Sequence, residues 1–128
     1  MNRLYTYGYD SYPIGKVIDH LTSNGVRHVV DVRFKPFSRN PSYRQGPLRS
    51  QLTLAGIRYT HMPGLGNRNY KGGPVDLMDA SKIVVLLEMI EKEEGVCILC
   101  VCPKPEGCHR RLISDTLQGI MELEVVDL

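Results

Sequence analysis

Apolar residues along the chain fall into short, often β-branched runs that alternate with longer stretches in which they recur at helical spacing. The short runs predict strands over residues 4–8, 26–32, 57–61, 96–101 and 124–128. The longer stretches predict helices over residues 13–23, 47–55, 79–93 and 111–121. Because strand and helix alternate regularly, we expect an α/β fold: a single three-layer domain with a mainly parallel five-stranded sheet and helices on both faces.

Residues with strong capping preferences mark several of the predicted helix ends. Ser11 is a candidate N-cap of the first helix, and Asn24 with Gly25 is its stop signal. Asp79 is the candidate cap of the third helix. These signals place the ends of the helices in short polar turns.

Length and composition fit one globular domain. A chain of 128 residues with 42% hydrophobic content can bury a core without disulfides, so we expect residues 1–128 to form one domain. No apolar stretch approaches the ~20 residues that cross a bilayer, and the first residues lack the apolar segment of a signal peptide. We therefore expect a cytoplasmic protein with no membrane partner, whose four cysteines are reduced or metal-bound.

The net charge of +2 hides an uneven distribution of charge along the chain. Most basic residues precede Asp76 and most acidic residues follow it, and arginine outnumbers lysine in the basic part. Arginine is suited to a bidentate grip on phosphate or carboxylate. A solvated basic surface would have the same composition, so the charge pattern alone favours an anionic partner without identifying one.

Residues with distinctive chemistry follow the predicted strands rather than precede them. In an open α/β sheet ligands bind outside the carboxyl ends of the strands, so these residues are expected to share one edge. Strand by strand they are Gly8, Tyr9 and Asp10; Asp31, Arg33, Arg39 and Arg44; His61, Arg68 and Lys71; and Cys100, Cys102, Cys108, His109 and Arg110.

The most informative segment runs from residue 100 to residue 111, between the fourth strand and the fourth helix. It places three thiols, an imidazole and two guanidinium groups around a turn built on Pro103, Pro105 and Gly107. Such a connection brings its side chains and the free N–H groups of the helix to the sheet edge, where an anion is favoured. Cys97 alternates with Cys100 along the strand and is predicted to be a core residue.

Four segments carry a family resemblance. They are Thr-Tyr-Gly-Tyr at 6–9, Val-Asp-Val-Arg at 30–33 with Pro36 and Arg39, Leu-Gly-Asn-Arg at 65–68, and Cys100 with Pro-Glu-Gly-Cys-His-Arg-Arg-Leu-Ile at 105–113. In these segments the chain resembles the domain of unknown function 488 family. The resemblance supports the fold and the site but implies no activity. Two positions depart from the family: a usual glutamate is Cys102 here, and an aspartate is Lys104.

An enzyme acting on a phosphate-bearing or other anionic substrate, such as a nucleotide or nucleic acid, is the first functional hypothesis. Cys108 or Cys100 would be a thiolate nucleophile whose pKa is lowered by cationic neighbours and the helix N-terminus, and Asp31 would orient an arginine or act as a base. Cys108 is predicted to be alkylated fastest and Cys97 to be inert. The predicted catalytic residues are Cys108, His109, Asp31 and Cys100, and the predicted substrate-binding residues are Gly8, Tyr9, Arg33, Arg39, Arg68 and Arg110.

Two other functional classes fit the same residues. A metal-binding protein would use Cys100, Cys102, Cys108 and His109 as ligands, but these positions lack the spacing of paired zinc knuckles. We therefore predict no cofactor and less than one equivalent of zinc or iron. A non-catalytic nucleic-acid module would place the arginine-rich edge on phosphates and stack bases on aromatic side chains. The candidates for stacking are Tyr9, Phe37, Tyr43 and Tyr70.

Overall fold

A computed structural model describes residues 2–10, 12–69, 71–102 and 106–128 of the chain. The strands are β1 (Asn2–Gly8), β2 (His28–Asp31), β3 (Arg58–His61), β4 (Val96–Cys100) and β5 (Leu123–Asp127). The α-helices are α1 (Ile14–Ser23), α2 (Gln45–Leu54), α3 (Lys82–Lys92) and α4 (His109–Gln118). Short 3₁₀ turns lie at Pro41–Tyr43 and Pro63–Leu65.

The described residues form one five-stranded sheet in the order β3-β2-β4-β1-β5, and every neighbouring pair is parallel. The α/β architecture predicted from the sequence is confirmed, and the sheet is fully rather than mainly parallel. Parallel strands need crossover connections, which the four helices supply. All carboxyl ends of the strands therefore lie at one edge of the sheet.

Two hydrophobic cores sandwich the sheet, because successive strand residues face opposite sides. On one face Leu4, Val30, Val96 and Ile98 pack with buried residues of α3 and α4 such as Leu86, Ile90, Ile113 and Leu117. On the other face Tyr5, Tyr7, Val29, Cys97 and Leu99 pack with buried residues of α1 and α2 such as Val17, Leu21, Leu48 and Leu52. Cys97 is buried in this second core.

The helix boundaries differ from the sequence prediction at three points. Helix α2 begins at Gln45, two residues early. Helix α3 begins at Lys82, because the Asp79 carboxylate accepts hydrogen bonds from the Ser81 N–H (3.1 Å) and hydroxyl (2.5 Å) in a turn ahead of it. Helix α4 begins at His109 and ends at Gln118, so both bounds lie before the predicted ones.

The Ser11 cap, the Lys104 position and the Pro103 and Pro105 positions of the turn before α4 lie outside the described residues. The predicted stop of α1 is confirmed, since Asn24 caps the helix and Gly25 has a positive φ of 78°.

The topology opens a crevice at the end of β4. Strands β1 and β2 lead to α1 and α2 on one face of the sheet, whereas β4 leads to α4 on the other face. Because β4 lies between β1 and β2, its connection diverges from those of both neighbours. Ligands of open α/β sheets bind at such a switch point. No helix in the described part of the chain is long and apolar enough to cross a membrane.

Candidate functional site

A cavity of about 590 Å³ lies at the carboxyl edge of the sheet, next to the end of β4. We refer to it as the site cavity. Its lining residues are Tyr9, Arg33, Phe34, Lys35, Phe37, Ser38, Arg39, Asn67, Cys100, Val101, Cys102 and His109. Among these described residues there are three cations and no carboxylate. A second cavity, of about 620 Å³, lies at the opposite edge and mixes acidic with basic residues, so it lacks this charge bias.

One cavity-lining residue, Arg33, belongs to a buried ion pair. Arg33 donates from Nε to Asp31 Oδ1 (2.8 Å) and from Nη2 to Asp31 Oδ2 (2.6 Å), and both side chains are buried. Its Nη1 donates to the Tyr9 hydroxyl (3.1 Å) and to the Tyr43 carbonyl (2.7 Å). Burial acts to lower the pKa of Arg33, but the Asp31 carboxylate outweighs burial and raises it. The contacts of Asp31 fit the role of orienting an arginine.

Two further side chains hold this ion pair in place. The Tyr59 hydroxyl donates to Asp31 Oδ2 at 2.6 Å, and burial with the nearby negative charge raises the pKa of Tyr59. His61 Nε2 donates to the Arg33 carbonyl at 2.8 Å. The ring of Tyr9 stacks on Tyr43 with centroids 4.0 Å apart. Most N–H groups of the Arg33 guanidinium therefore donate hydrogen bonds to other atoms of the protein.

Arg110 is a buried guanidinium with few partners. Its side chain is 1% exposed, Nη1 donates to Thr6 Oγ1 (3.0 Å) and Nη2 donates to the Cys102 carbonyl (3.1 Å). Its Nε has no hydrogen-bond partner among the residues that the structure describes. Among the ion pairs of the described residues none includes Arg110. The Thr6 hydroxyl donates in turn to Asp127, an exposed residue at the end of β5.

Gly8 brings β1 close to the segment after β4. A Cβ atom at this position would lie 1.6 Å from the Cys102 carbonyl oxygen and 3.0 Å from Arg110 Nη2. Beyond Gly8, the Tyr9 N–H donates to the Cys100 carbonyl at 3.0 Å and the Asp10 N–H to the Val101 carbonyl at 2.9 Å. Gly8, predicted to bind substrate, therefore packs against the backbone that carries Cys102.

Three thiols meet beside Arg110. The Sγ atoms of Cys100, Cys102 and Cys108 all lie within 4.8 Å of one another, and we refer to them as the thiol cluster. Cys100 and Cys108 are buried with their sulfurs 3.1 Å apart, whereas Cys102 is partly exposed on the wall of the site cavity. All four cysteines of the chain are free. Cys97, in the opposite core, takes no part.

Within the cluster, Cys102 is the thiol whose pKa is lowered. Hydrogen bonds from the Cys100 and Cys108 thiols lower the pKa of Cys102, and the charge of the nearby Arg110 side chain lowers it further. For Cys108, the Cys100 thiol acts to lower the pKa, but the Cys102 sulfur and burial outweigh it. The hydrogen bonds to its neighbours, followed by burial, raise the pKa of Cys100.

His109 is oriented to accept a proton from the cluster. Its Nε2 lies 2.9 Å from the Val32 carbonyl oxygen, to which it must donate, so Nδ1 carries the lone pair. Nδ1 lies 3.7 Å from Cys108 Sγ. Burial lowers the pKa of His109 and favours the neutral ring that this tautomer requires.

Of the other predicted binding residues, one reaches the site cavity and one does not. Arg39 is exposed on the cavity wall. Arg68 is exposed, lies 3.5 Å from the Asp76 carboxylate and donates to the Met78 carbonyl, and it does not line the cavity. Phe37, a candidate for base stacking, lies on the wall with 66% of its surface exposed. Tyr70 lies outside the described residues.

Several residues of the site were not singled out from the sequence. Thr6 and Tyr59 support Arg110 and Asp31, and Phe34 and Lys35 line the cavity. Thr6 carried a usable signal, since it is the one polar residue inside the short apolar run 4–7 that the sequence identified as a strand. Tyr59 carried none, because a tyrosine in a strand is ordinary core composition.

Comparison with known proteins gives a single family. The family model described as "Domain of unknown function DUF488" matches residues 13–117. No curated protein and no solved structure matches the chain. Since the matched residues cover most of the chain, including β2 to β4 and nearly all of α4, this protein belongs to the DUF488 family.

Proposed function

We propose that this protein is a thiol-dependent enzyme that acts on an anionic substrate in the site cavity, with the Cys102 thiolate as its nucleophile. The observation that carries the proposal is the buried Arg110 guanidinium, which has no carboxylate partner in the described part of the chain and lies against Cys102.

A buried charge is expensive unless an opposite charge compensates it. The Cys102 backbone carbonyl accepts a hydrogen bond from Arg110 Nη2, and the charge of Arg110 helps to lower the pKa of the Cys102 thiol. Ionisation of Cys102 therefore relieves the uncompensated charge. The thiolate is the nucleophilic form of cysteine, so the same ionisation prepares the sulfur for attack on a bound electrophile.

The substrate class follows from the lining of the site cavity. Lys35 and Arg39 are exposed cations on its wall, and no carboxylate lines it among the described residues. A cavity lined by one sign of charge raises the local concentration of ligands of the opposite sign. A phosphate, sulfonate or carboxylate group of the substrate would be held there, next to Cys102.

The proposed roles differ from the sequence prediction in the choice of nucleophile. Cys108 and Cys100, the thiols chosen from the sequence, are buried; of the two cysteines that line the cavity, Cys100 and Cys102, it is Cys102 that is partly exposed. Arg33, which lines the cavity, is already paired with the buried Asp31 carboxylate, so it is not assigned here as the group that binds the anion. The predicted order of cysteine reactivity is thus replaced here by one that begins with Cys102.

Competitive alkylation tests this proposal. With neutral iodoacetamide near pH 7, we expect mass spectrometry to find Cys102 modified first and Cys97 unmodified in the folded protein. The alkylation rate of Cys102 with anionic iodoacetate is then divided by its rate with iodoacetamide. This ratio should be lower in Arg39→Ala than in the wild type, because a cation that attracts the anionic reagent is removed. The exposed Arg27, at the amino end of β2, gives the matched control Arg27→Ala, which should leave the ratio unchanged.

Labelling of Cys108 ahead of Cys102 would restore the sequence-based assignment. If no cysteine in the thiol cluster reacts in the folded protein, the covalent mechanism fails. If Arg27→Ala and Arg39→Ala change the reagent ratio equally, the cavity does not select anions.

Metal binding is a second candidate function, favoured by one observation: three Sγ atoms lie within 4.8 Å of one another. Thiolates are preferred ligands of zinc and other soft metals, and a structural zinc site needs four ligands. The metal content of the same purified samples separates the two functions. One equivalent of zinc that protects Cys102 from alkylation would favour the metal site, whereas fast alkylation without bound metal favours the enzyme.

A further inference from the structure

We propose that Cys108 is the resolving thiol of a dithiol exchange at this site, and that the electrophile attacked by Cys102 is a small anionic disulfide. This inference rests on the proposed function, because it uses the Cys102 thiolate as the first nucleophile. It adds the substrate class and a role for a second cysteine of the thiol cluster.

The geometry supplies a second sulfur within reach of the first. Cys102 follows β4 and Cys108 precedes α4, and their Sγ atoms lie within 4.8 Å of each other. A disulfide between Cys102 and a substrate would therefore form next to another thiol of the same protein. Exchange of thiol and disulfide needs a second thiolate that reaches the mixed disulfide.

The same geometry supplies a base for Cys108. His109 Nδ1 carries a lone pair and lies 3.7 Å from Cys108 Sγ, while Nε2 is fixed by the Val32 carbonyl. Once Cys102 is bonded to substrate, its negative charge is gone, and the Cys108 thiol can transfer its proton to His109. Cys108 then becomes the attacking thiolate at the moment when a mixed disulfide is present.

The reaction balances in two steps. Cys102 thiolate attacks one sulfur of the substrate disulfide, forming a Cys102–substrate disulfide and releasing one thiolate. Cys108, deprotonated by His109, attacks Cys102 Sγ, which forms a Cys102–Cys108 disulfide and releases the second thiolate. The two substrate sulfurs are reduced and two protein thiols are oxidised. An external dithiol reductant would restore the protein thiols in each turnover.

The anionic character of the substrate comes from the lining of the site cavity. Lys35 and Arg39 face an incoming ligand, and the described wall has no carboxylate to repel it. Phe37 and Val101 add exposed apolar surface beside the thiol cluster. A disulfide that carries carboxylates on short flexible arms fits this combination, whereas a disulfide that carries amines does not.

Trapping with oxidised glutathione tests the resolving role. The wild-type protein should release two glutathione molecules per chain and lose two hydrogens in intact mass, and peptide mapping should find a disulfide that contains Cys108. Cys108→Ser should instead accumulate a single glutathionyl adduct on Cys102. Cys97→Ser, altered in the opposite core, should behave as the wild type.

The inference is overturned if the wild type stops at the adduct on Cys102, or if Cys108→Ser still forms an internal disulfide at the wild-type rate. Because Cys108 is buried, Cys108→Ala is prepared in parallel, and circular dichroism establishes that at least one variant is folded. If Cys102 reacts with iodoacetamide but its reaction with oxidised glutathione stops at the adduct, this inference fails and the proposed function stands. If Cys102 reacts with neither iodoacetamide nor oxidised glutathione, the proposed function fails as well.

The charge of the substrate is tested with two small disulfides. For each disulfide, the rate of reaction at Cys102 is divided by its rate with the thiol of an unfolded cysteine peptide. This relative rate should be at least about tenfold higher for oxidised glutathione than for cystamine, a dication, because electrostatic steering has effects of that size. Arg39→Ala should narrow this preference, and Arg27→Ala should not. Equal relative rates for the two disulfides would exclude an anionic substrate.

Discussion

The guanidinium of Arg110 lies inside the fold, yet within the described part of the chain it makes only two hydrogen bonds, to Thr6 and to the Cys102 carbonyl. Arg33 is also buried, but the Asp31 carboxylate pairs with it through two parallel bonds. The two arginines therefore differ in their partners although both lie near the same edge. Arg33 is paired with a carboxylate, and Arg110 has no carboxylate partner among the described residues.

Asp31→Asn tests the structural role of the Arg33 pair. The change leaves a buried guanidinium without its counter-charge, which costs about 3 to 5 kcal/mol of stability when one partner of a buried pair is removed. We expect a large fall in the melting temperature. Arg39→Ala, which alters an exposed side chain on the same cavity wall, should leave the melting temperature close to that of the wild type.

The sequence prediction treated Arg33, Arg39 and Arg110 alike, as substrate-binding residues. The contacts now separate Arg39, which is exposed, from the other two, which are buried. If Asp31→Asn has the melting temperature of the wild type and weakens only ligand binding, Arg33 is available to bind substrate.

The elements of the site meet because β1 and β4 are neighbours in the sheet, with Gly8 opposite Cys100 in register. From there the chain after β4 folds over the end of β1, and α4 begins close enough for Arg110 to reach Thr6. Space at Gly8 is what allows the Cys102 carbonyl to approach. Position 8 therefore controls the thiol cluster without contacting a sulfur.

Gly8→Ala tests this control. The new Cβ would lie 1.6 Å from the Cys102 carbonyl oxygen, so the segment after β4 must move. Overpacking of this kind costs roughly 1 to 3 kcal/mol, and we expect both a lower unfolding free energy and slower alkylation of Cys102. Urea unfolding and the alkylation rate are the measurements.

Gly15→Ala is the matched control, because nothing lies within 4 Å of a Cβ at that position and it is inside α1. Alanine is favoured over glycine in a helix by about 1 kcal/mol, so this variant should be more stable, with unchanged alkylation. Unchanged alkylation in Gly8→Ala would show that Cys102 does not depend on the approach of β1.

The periodicity of apolar residues was sufficient to predict the strands and helices, because β2 and β4 are wholly buried and β1 is buried over most of its length. It could not locate the start of α4, since the turn before it carries prolines and a glycine that obscure helical spacing. Nor could it predict that Arg110 is buried, because arginine is among the residues least often found inside a protein. The identity of the thiolate depends on that burial, and so it also required the structure.

At the scale of the whole molecule, the ionisation of the thiol cluster links the site to folding. In the unfolded chain Cys102 has an ordinary thiol pKa of about 8.5, and in the folded protein its pKa is lowered. The folded state then holds one proton fewer between the two pKa values. The contribution of Cys102 to the free energy of unfolding is therefore fully present above about pH 8.5, and it is lost as the pH falls toward the pKa of Cys102 in the folded protein.

His109 also makes the folded state more stable as the pH rises, whereas the Cys100 and Cys108 thiols have the opposite effect, and only at alkaline pH. The lowered pKa of His109 also makes the folded state lose stability as the pH falls below about 6.5. The raised pKa values of Cys100 and Cys108 remove stability only above about pH 8.5. The wild type should therefore be most stable slightly above neutral pH.

Urea unfolding of the wild type and Cys102→Ser between about pH 5 and pH 8.5 isolates the contribution of this thiolate. The difference in unfolding free energy should grow with pH in favour of the wild type, with a slope of at most about 1.4 kcal/mol per pH unit for one proton. Cys97→Ser should run parallel to the wild type over this range, because burial raises the pKa of Cys97. Parallel curves for Cys102→Ser would mean that Cys102 is a neutral thiol, and Arg110 would then need another anion, supplied only when substrate binds.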